Sequence, residues 1–296
     1  MINVAMVSCT PLAGAPLETA KCLNKYASGR LNVRWIADSV AYGDGRRFPK
    51  DLLLGEDRAE ALDVLEQADI IHIQNAHFSE VEKYFSTGKR IIAQFHSCPK
   101  LPTVGRYLQI TPHCFTLNQP MQVREFPHLP QLPNLMDPEE YTPLEPRPIR
   151  SKPRILFAPT NDRNKFTVGS KGRAEILPML ESVREFFDVE VFSNLPYVQN
   201  LERKRQADIL IDDVVNGTFN KTALEGCCFG LATITGSAFP GWLQANLGTL
   251  RETLLNLRDP ENLLAVQKLG REWITEDYHP RKMADLYLQA YEKVLR

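Results

Sequence analysis

A proline-rich segment divides this chain into two parts. Eight of the 27 residues from Pro127 to Pro153 are proline. Because proline lacks a backbone N–H and has a fixed φ angle, this segment supports neither a helix nor a central strand. The 296 residues are enough for two domains of about 150 residues, each with its own core. We expect an N-terminal domain over 1–135, a linker over 136–153, a C-terminal domain over 154–279, and a last helix over 280–296 that can cross back to the N-terminal domain.

Short apolar runs alternate with stretches of helical spacing on both sides of this segment. Because the runs are nearly continuous, their strands are expected to be buried on both faces, as in a parallel sheet covered by helices. The pattern predicts an α/β fold of two doubly wound, Rossmann-like domains facing across a cleft, which is the default ligand site. Strands are expected at 3–9, 33–37, 70–74, 90–96, 114–117, 154–158, 189–192, 207–211 and 232–235. Helices are expected at 16–26, 57–66, 80–85, 173–187, 198–206, 218–229, 246–257, 261–276 and 280–295.

The stretch 193–235 places two carboxylates and a helix start directly after an apolar strand. Asp212 and Asp213 follow the strand, and a turn leads into a helix expected to begin at Thr218. Open α/β sheets bind ligands at the carboxyl ends of their strands. The first N–H groups of a helix have no intrahelical partner and lie at its positive dipole end, which suits a phosphate. The sequence therefore predicts a phosphate-bearing ligand bound by Thr218 and by the N–H groups of Phe219, Asn220 and Lys221.

Glu225, further along the same helix, predicts a contact with the sugar of that ligand. It is followed by Gly226-Cys227-Cys228, a small-residue face suited to close packing. A buried glutamate needs a hydrogen-bond partner, and ribose hydroxyls would serve. In the preceding helix, the run Arg203-Lys204-Arg205 is interpreted as a solvated face.

Composition and charge exclude several classes of protein. The formal net charge is -1, so no global attraction to nucleic acid is expected. The first residues lack the basic region of a signal peptide, and no apolar stretch approaches the roughly 18 residues that span a bilayer. The six cysteines are scattered without a C-x-x-C pair, which indicates reduced thiols and a cytoplasmic protein. No Ser/His/Asp set, zinc site or Walker loop is recognisable, so no metal site is predicted.

Several segments share short motifs with one large group of enzymes. The segment 132–137 followed by Tyr141 is similar to an interdomain P-N-x-x-D…Y element, and Lys171-Gly172 to a K-G helix entry. The segment 224–232 is similar to an L-E-A-x-A-x-G-x-P helix, and 94–97 to a strand end that carries a sugar-pocket histidine. Taken in their order along the chain, and over nearly its whole length, these segments resemble the retaining, nucleotide-sugar-dependent glycosyltransferases of the two-domain GT-B fold, in the family-4-type group. The resemblance implies a nucleotide-diphosphate sugar as donor, UDP- or GDP-linked, retention of configuration, no cofactor and no metal.

The resemblance also implies roles for individual residues in binding the donor. Lys171, with Arg163 or Lys165 nearby, would bind the diphosphate, because transfer develops negative charge there that fixed cations stabilise. Glu225 would bind the ribose. Gly14, in the loop after the first strand, would let the backbone approach the diphosphate or the acceptor.

One departure from the family pattern concerns the residues nearest the transferred sugar. The family usually has two glutamates separated by seven residues; Glu225 matches the second, but Gly217 stands where the first is expected. Asp212 and Asp213, at the preceding strand end, are candidate replacements. We assign Asp213 a catalytic role together with His96, which follows the strand 90–96 and would bind the donor sugar or orient the acceptor.

The acceptor class and two alternative functions stay open. A polysaccharide, a small metabolite, a lipid-linked sugar or a modified nucleic-acid base, as in phage DNA modification, would each supply a hydroxyl. Helix 16–26 carries only Lys21 and Lys25, so contact with a membrane surface has weak support, as has nucleic acid. The absent first glutamate favours one alternative, a non-catalytic nucleotide-sugar-binding protein; the other is a nucleotide-sugar epimerase of the same architecture.

Overall fold

The chain folds into two compact α/β units. The computed structural model describes residues 1–42, 47–96, 100–147, 150–159 and 171–296. The first unit combines Met1–Leu135 with Pro280–Arg296, and the second is Met136–His279. Each unit contains one sheet whose paired strands are all parallel. The predicted α/β fold with two Rossmann-like sheets is therefore confirmed.

The first unit is built on a six-stranded sheet in the order β3-β2-β1-β4-β5-β6. Alternate residues of β1 point to opposite faces, so Val4 and Met6 join one apolar core and Ala5 and Val7 the other. The strands are β1 Ile2–Ser8, β2 Leu31–Ala37, β3 Leu52–Leu53, β4 Ile70–Gln74, β5 Arg90–Phe95 and β6 Cys114–Thr116. The helices are α1 Ala15–Tyr26, α2 Arg58–Gln67, α3 Ser79–Glu82, α4 Leu101–Ile110, α5 Pro120–Glu125 and, at the end of the chain, α11 Pro280–Leu295.

Helices cover both faces of this sheet. Leu23 of α1 and Tyr287 of α11 lie in one core, and Leu65 of α2 and Tyr107 of α4 lie in the other. The last helix therefore belongs to the N-terminal unit. Its apolar side contacts α1 and β5, which places two tyrosines beside the polar ends of the central strands.

The second unit has a five-stranded sheet in the order β11-β10-β9-β7-β8. Its largest core cluster includes Ile155, Ile209 and Ile234, from β7, β9 and β10. The strands are β7 Arg154–Phe157, β8 Asp188–Val191, β9 Ile209–Ile211, β10 Ala232–Thr235 and β11 Leu243–Gln244. The helices are α6 Arg173–Glu181, α7 Tyr197–Arg205, α8 Lys221–Cys228, α9 Leu250–Asn256 and α10 Pro260–Glu276.

Arg147 fixes the part of the proline-rich segment that belongs to the second unit. The Arg147 guanidinium donates hydrogen bonds to the carbonyls of Ala207, Phe229 and Gly230. It thus satisfies carbonyls at the carboxyl end of α8, where a cation is also favoured by the helix dipole.

Four short elements were not predicted. Strands β3 and β11 have two residues each, too few to show a periodic pattern. Helix α4 contains Pro102 near its start and Gly105 in its middle, and α5 begins at Pro120, so neither has a strong helical pattern. Within the described part of the chain, no helix is both long and apolar enough to cross a membrane.

Candidate functional site

The second sheet changes its winding direction between β7 and β9. The first strand, β7, pairs with β8 on one side and with β9 on the other. In open α/β sheets, such a switch point leaves a crevice at the carboxyl ends of the two diverging strands. Asp212 and Asp213 follow β9 directly, so the strand order places them at this crevice. Arg163 and Lys165 lie outside the described residues, and their predicted phosphate contacts stay predictions.

Lys171 lies buried at this edge and is held by two side chains. Its Nζ donates to Asp212 Oδ1 at 2.5 Å and to Thr222 Oγ1 at 3.1 Å. Both Lys171 and Gly172 have positive φ angles, 50° and 70°. A Cβ at residue 172 would come within 2.1 Å of Val215 Cγ2, so glycine is required both by the space and by the φ angle.

The start of α8 differs from the sequence prediction. The helix begins at Lys221, not at Thr218, and Asn220 is extended, with φ -120° and ψ 177°. The Asn220 N–H donates to Asp212 Oδ2 at 2.6 Å, which holds this extended residue against the end of the preceding strand. An N–H group predicted to bind phosphate is therefore bound to a carboxylate of the chain itself.

Thr218 and Phe219 form the approach to this helix and are buried. The Phe219 ring packs against Phe239 and Trp242, with centroids 5.3 and 4.9 Å apart. The predicted contact of Thr218 and Phe219 with phosphate could involve only their backbone or the Thr218 hydroxyl, because the Phe219 ring lies in the core.

Glu225 is buried between two lysines. Its Oε1 accepts from Lys221 Nζ at 2.9 Å, and its Oε2 from Lys204 Nζ. Lys221 Nζ also donates to the Tyr197 hydroxyl at 2.7 Å. Close packing holds the helix here, since a Cβ at Gly226 would come within 2.3 Å of Thr233 Oγ1 on β10. The carboxylate thus already has the partners that the sequence assigned to ribose.

These side chains form one buried group, which we call the lysine cluster: Lys171, Lys204, Lys221, Asp212 and Glu225. Burial by itself would raise the pKa of Glu225, but the ammonium groups of Lys204 and Lys221 outweigh it and lower the pKa to about 2. Burial lowers the pKa of Lys204, against the opposing effect of Glu225. Three ammonium groups face two carboxylates, so these five side chains carry one positive charge when all are ionised. An ionised Asp213, which interacts with Asp212 and Lys171, balances that charge.

Lys204 was missed by the sequence analysis. The interpretation of Arg203-Lys204-Arg205 as a solvated face is wrong for Lys204, which is 4% exposed. A signal was present, because Tyr197, Leu201 and Lys204 have the i, i+4, i+7 spacing of one helix face. Tyr197 is buried and Leu201 packs against an apolar cluster, so Lys204 follows them inward.

Asp213 holds the turn that follows it. Its Oδ1 accepts from the N–H groups of Val215 and Asn216 at 3.1 and 2.9 Å, and its Oδ2 from Asn216 Nδ2 at 2.7 Å. Burial raises the pKa of Asp213, although its bonds to Asn216 oppose the shift. The geometry shows a turn-forming carboxylate, and its catalytic role stays a prediction.

In the first unit, Gly14 lies in a strained loop after β1. Leu12, Ala13 and Gly14 all have positive φ angles, 46°, 56° and 78°. Non-glycine residues in this region cost about 1 kcal/mol or more each. The Ala13 N–H donates to the Tyr42 hydroxyl at 2.8 Å, and α1 begins directly after Gly14. The predicted approach of this loop to a ligand is untested.

His96 follows β5 at the carboxyl edge of the first sheet. Its backbone N–H donates to Asn75 Oδ1 at 2.5 Å, and its Nε2 is hydrogen bonded to Gln74 Oε1. Burial lowers the pKa of His96 to about 4, although a hydrogen bond with Asn134 opposes the shift. The imidazole is therefore neutral near pH 7. The sequence analysis overlooked Gln74 and Asn134, although a glutamine at the end of an apolar strand was a visible signal.

Among the described residues, no group of three or more His, Cys, Asp or Glu side chains is placed to hold a metal ion. The described cysteines are Cys9, Cys22, Cys114, Cys227 and Cys228, and all are free thiols.

Comparison with known proteins gives no sequence match but clear structural ones. No protein-family model and no curated protein matches the chain. Sucrose-phosphate synthase from Thermosynechococcus elongatus aligns with a TM-score of 0.64 and 12% identity, covering 99% of each chain. AviGT4, a glycosyltransferase involved in avilamycin A biosynthesis, aligns with 0.57 and 13% identity, covering 100% of this chain and 98% of its own. The chain has the GT-B fold.

One further similar structure is described as an enzyme of a different reaction. A putative UDP-N-acetylglucosamine 2-epimerase from Listeria monocytogenes aligns with a TM-score of 0.52 and 9% identity, covering 97% of this chain and 94% of its own. At these identities the similarity establishes the fold, and the chemistry has to be argued from the residues.

Proposed function

We propose that this protein is a glycosyltransferase that transfers a sugar from a nucleotide-diphosphate sugar to a hydroxyl-bearing acceptor. The GT-B fold supports this, because sucrose-phosphate synthase and AviGT4 share the fold over nearly their whole length. The observation that carries the proposal is the lysine cluster at the switch point of the second sheet.

The charge of the cluster suits a diphosphate leaving group. Transfer of the sugar leaves negative charge on the diphosphate, which is stabilised best by cations fixed before the reaction. Lys221 is the first residue of α8 and Lys171 contacts Thr222 in its first turn, and the five paired side chains have one positive charge in excess. A phosphate that replaced the Asp212 carboxylate at Asn220 N would meet both a cation and a helix N-terminus.

The finer parts of the proposal follow the family resemblance. The donor is UDP- or GDP-linked, no separate cofactor takes part, and the configuration of the transferred sugar is retained. His96 and Asp213 act nearest the sugar, and Gly14, Arg163 and Lys165 assist in donor binding. The nucleic-acid acceptor considered from the sequence gains no support from the similar structures. The anomeric proton coupling of the product, measured by NMR, tests retention.

Binding of nucleoside diphosphates and their sugar conjugates tests the proposal. We expect one of the series to stabilise the protein in thermal unfolding, by about 2.7 kcal/mol at a concentration of 100 times its dissociation constant. Calorimetry should give the same preference, followed by transfer to a screened acceptor. If neither the diphosphates nor any conjugate binds, the proposal is wrong.

A matched pair of variants locates the site. Lys171→Met removes a buried cation of the cluster, whereas Lys268→Met removes an exposed lysine that is paired with Glu272 at 3.5 Å. We expect Lys171→Met to weaken diphosphate binding at least tenfold, and Lys268→Met to leave it unchanged. Circular dichroism checks that both variants are folded, and equal affinities would place the diphosphate elsewhere.

An epimerase is the second candidate, because the putative epimerase from Listeria monocytogenes shares the fold. Incubation with UDP-N-acetylglucosamine, without any acceptor, separates the two functions. An epimerase changes the configuration at a carbon of the sugar, which NMR detects directly. A transferase leaves that sugar unchanged or releases it slowly to water.

A further inference from the structure

Four neutral polar side chains form a hydrogen-bond chain inside the first unit. Gln74 ends β4, Gln94 lies opposite it in β5, His96 follows β5, and Tyr287 comes from α11. Gln74, Gln94 and Tyr287 are at most 1% exposed. Because buried polar groups need partners, the direction of each bond in this chain is strongly constrained.

Two backbone carbonyls set the direction at one end. The carbonyls of Leu132 and Pro133 can accept hydrogen bonds but cannot donate. Gln94 Nε2 faces the Leu132 carbonyl at 2.8 Å, so this atom must be the amide nitrogen and not the oxygen. The Tyr287 hydroxyl donates to the Pro133 carbonyl at 2.7 Å, and it therefore accepts from Gln94 Nε2 at 3.3 Å.

The orientation of Gln94 then determines the next two links. With its nitrogen toward Leu132, its Oε1 accepts from Gln74 Nε2 at 3.1 Å. Gln74 consequently turns its Oε1 toward His96 Nε2. An amide oxygen can only accept, so the proton of a neutral His96 must lie on Nε2 and the lone pair on Nδ1.

We infer that Gln74 and Gln94 are positioning residues that hold His96 with its proton on Nε2, which leaves the lone pair of Nδ1 as the acceptor for a hydrogen bond from Asn134 or from a hydroxyl of the ligand. The identity of that hydroxyl, as one belonging to the sugar or the acceptor, rests on the proposed function. The tautomer itself does not, because it follows from the two backbone carbonyls.

The tautomer can be measured directly in the full chain. Protonated and unprotonated imidazole nitrogens have widely separated ¹⁵N shifts, and His96→Asn identifies the His96 signals among the six histidines. We expect Nε2 protonated and Nδ1 unprotonated in the unmodified protein. A proton on Nδ1, or rapid averaging of the two forms, would overturn the inference before any variant is made.

Gln94→Leu tests whether the chain of bonds sets the tautomer. Gln94 is hydrogen bonded to Gln74, Tyr287 and the Leu132 carbonyl. Without it Gln74 can rotate its amide, and we expect His96 to sample both tautomers. Gln122→Leu is the matched control, because Gln122 is a fully buried glutamine of the same unit whose bonds run to Gln119 and Leu117. A His96 tautomer unchanged in Gln94→Leu would show that Gln94 has no positioning role. If Gln94→Leu does not fold, Gln74→Leu provides the same test one link closer.

Kinetics separate this role from a structural one. Once a donor and acceptor are identified, we expect Gln94→Leu to lower kcat/KM about fivefold, the value of one hydrogen bond, with the affinity for the nucleoside diphosphate unchanged. Gln122→Leu should change neither. If no nucleotide sugar binds, the proposed function fails while the NMR result still decides the tautomer.

Discussion

The lysine cluster of the second unit and the hydrogen-bond chain of Gln74, Gln94, His96 and Tyr287 in the first unit both lie at the carboxyl edge of a parallel sheet. They differ in charge. In the lysine cluster, buried lysines are paired with carboxylates: Lys171 with Asp212 at 2.5 Å and Lys221 with Glu225 at 2.9 Å. In the first unit the partners are neutral: Gln74 donates to Gln94 at 3.1 Å, Gln94 donates to the Tyr287 hydroxyl at 3.3 Å, and that hydroxyl donates to the Pro133 carbonyl at 2.7 Å. The lysine cluster therefore has a fixed electric field, and the neutral hydrogen-bond chain has fixed directions of donor and acceptor.

This difference shows what each region is suited to recognise. A field that favours negative charge selects a phosphate with little demand on its orientation. A chain of neutral donors and acceptors has no net charge to attract a ligand, but it presents one lone pair in one place. Such a chain suits a sugar hydroxyl, which differs from other hydroxyls of the same sugar in position and not in charge.

Removing a charge from the lysine cluster should have the largest effect on the free energy of unfolding. Glu225→Ala leaves Lys204 and Lys221 buried without their carboxylate, and we expect it to lower the free energy of unfolding by about 3–5 kcal/mol in urea. Glu272→Ala, which breaks an exposed pair with Lys268, should cost less than about 1 kcal/mol. A similar small cost for Glu225→Ala would remove the distinction between the two regions.

Acid should affect the two units over different pH ranges. The pKa values of His96 and His72 fall from 6.5 to about 4 and about 3, mainly through burial, and that of Glu225 falls from 4.5 to about 2. All three shifts are downward, so the unfolded chain binds protons more readily and stability falls with acid. The first unit should weaken from about pH 6.5 downward, and the second from about pH 4.5, the Glu225 contribution being on the order of 3 kcal/mol.

Tryptophan fluorescence during urea unfolding checks this order. Trp35 lies in the first unit, and Trp242 and Trp273 lie in the second, so variants that keep one set report on one unit. Loss of the second unit first, or loss of both over one range, would contradict the assignment of the shifts.

Removing a neutral hydrogen-bond partner in the first unit should have the smallest effect on the free energy of unfolding. Tyr291→Phe deletes the hydroxyl that lies 2.9 Å from His72 Nδ1, and we expect a cost of about 1–2 kcal/mol in urea. Tyr84→Phe, which loses a bond to the exposed Glu66, is the control and should cost less than about 1 kcal/mol. A cost for Tyr291→Phe equal to that of Glu225→Ala would mean that charge does not separate the two regions.

Much of the fold could be predicted from the sequence, but only part of the site. The bounds of α11 agree with the prediction of 280–295, because Pro280 marks its start and the helical spacing is long. The predicted start of α8 was wrong by three residues, since the backbone N–H of Asn220 is held by Asp212, eight positions earlier. Lys204 was assigned to solvent because a run of three basic residues is polar whichever of them faces inward.

The order of apolar runs, helical spacing and prolines was enough to determine two parallel sheets, because strand burial and helix amphipathicity are local properties of the chain. The pairing of Lys171 with Asp212, 41 positions apart, and of Lys204 with Glu225, 21 apart, was decided by the tertiary structure. The same holds for His96, whose tautomer depends on carbonyls near residue 132. A buried polar group acquires its charge or its proton position from the partners that packing places beside it, and sequence spacing does not contain those distances.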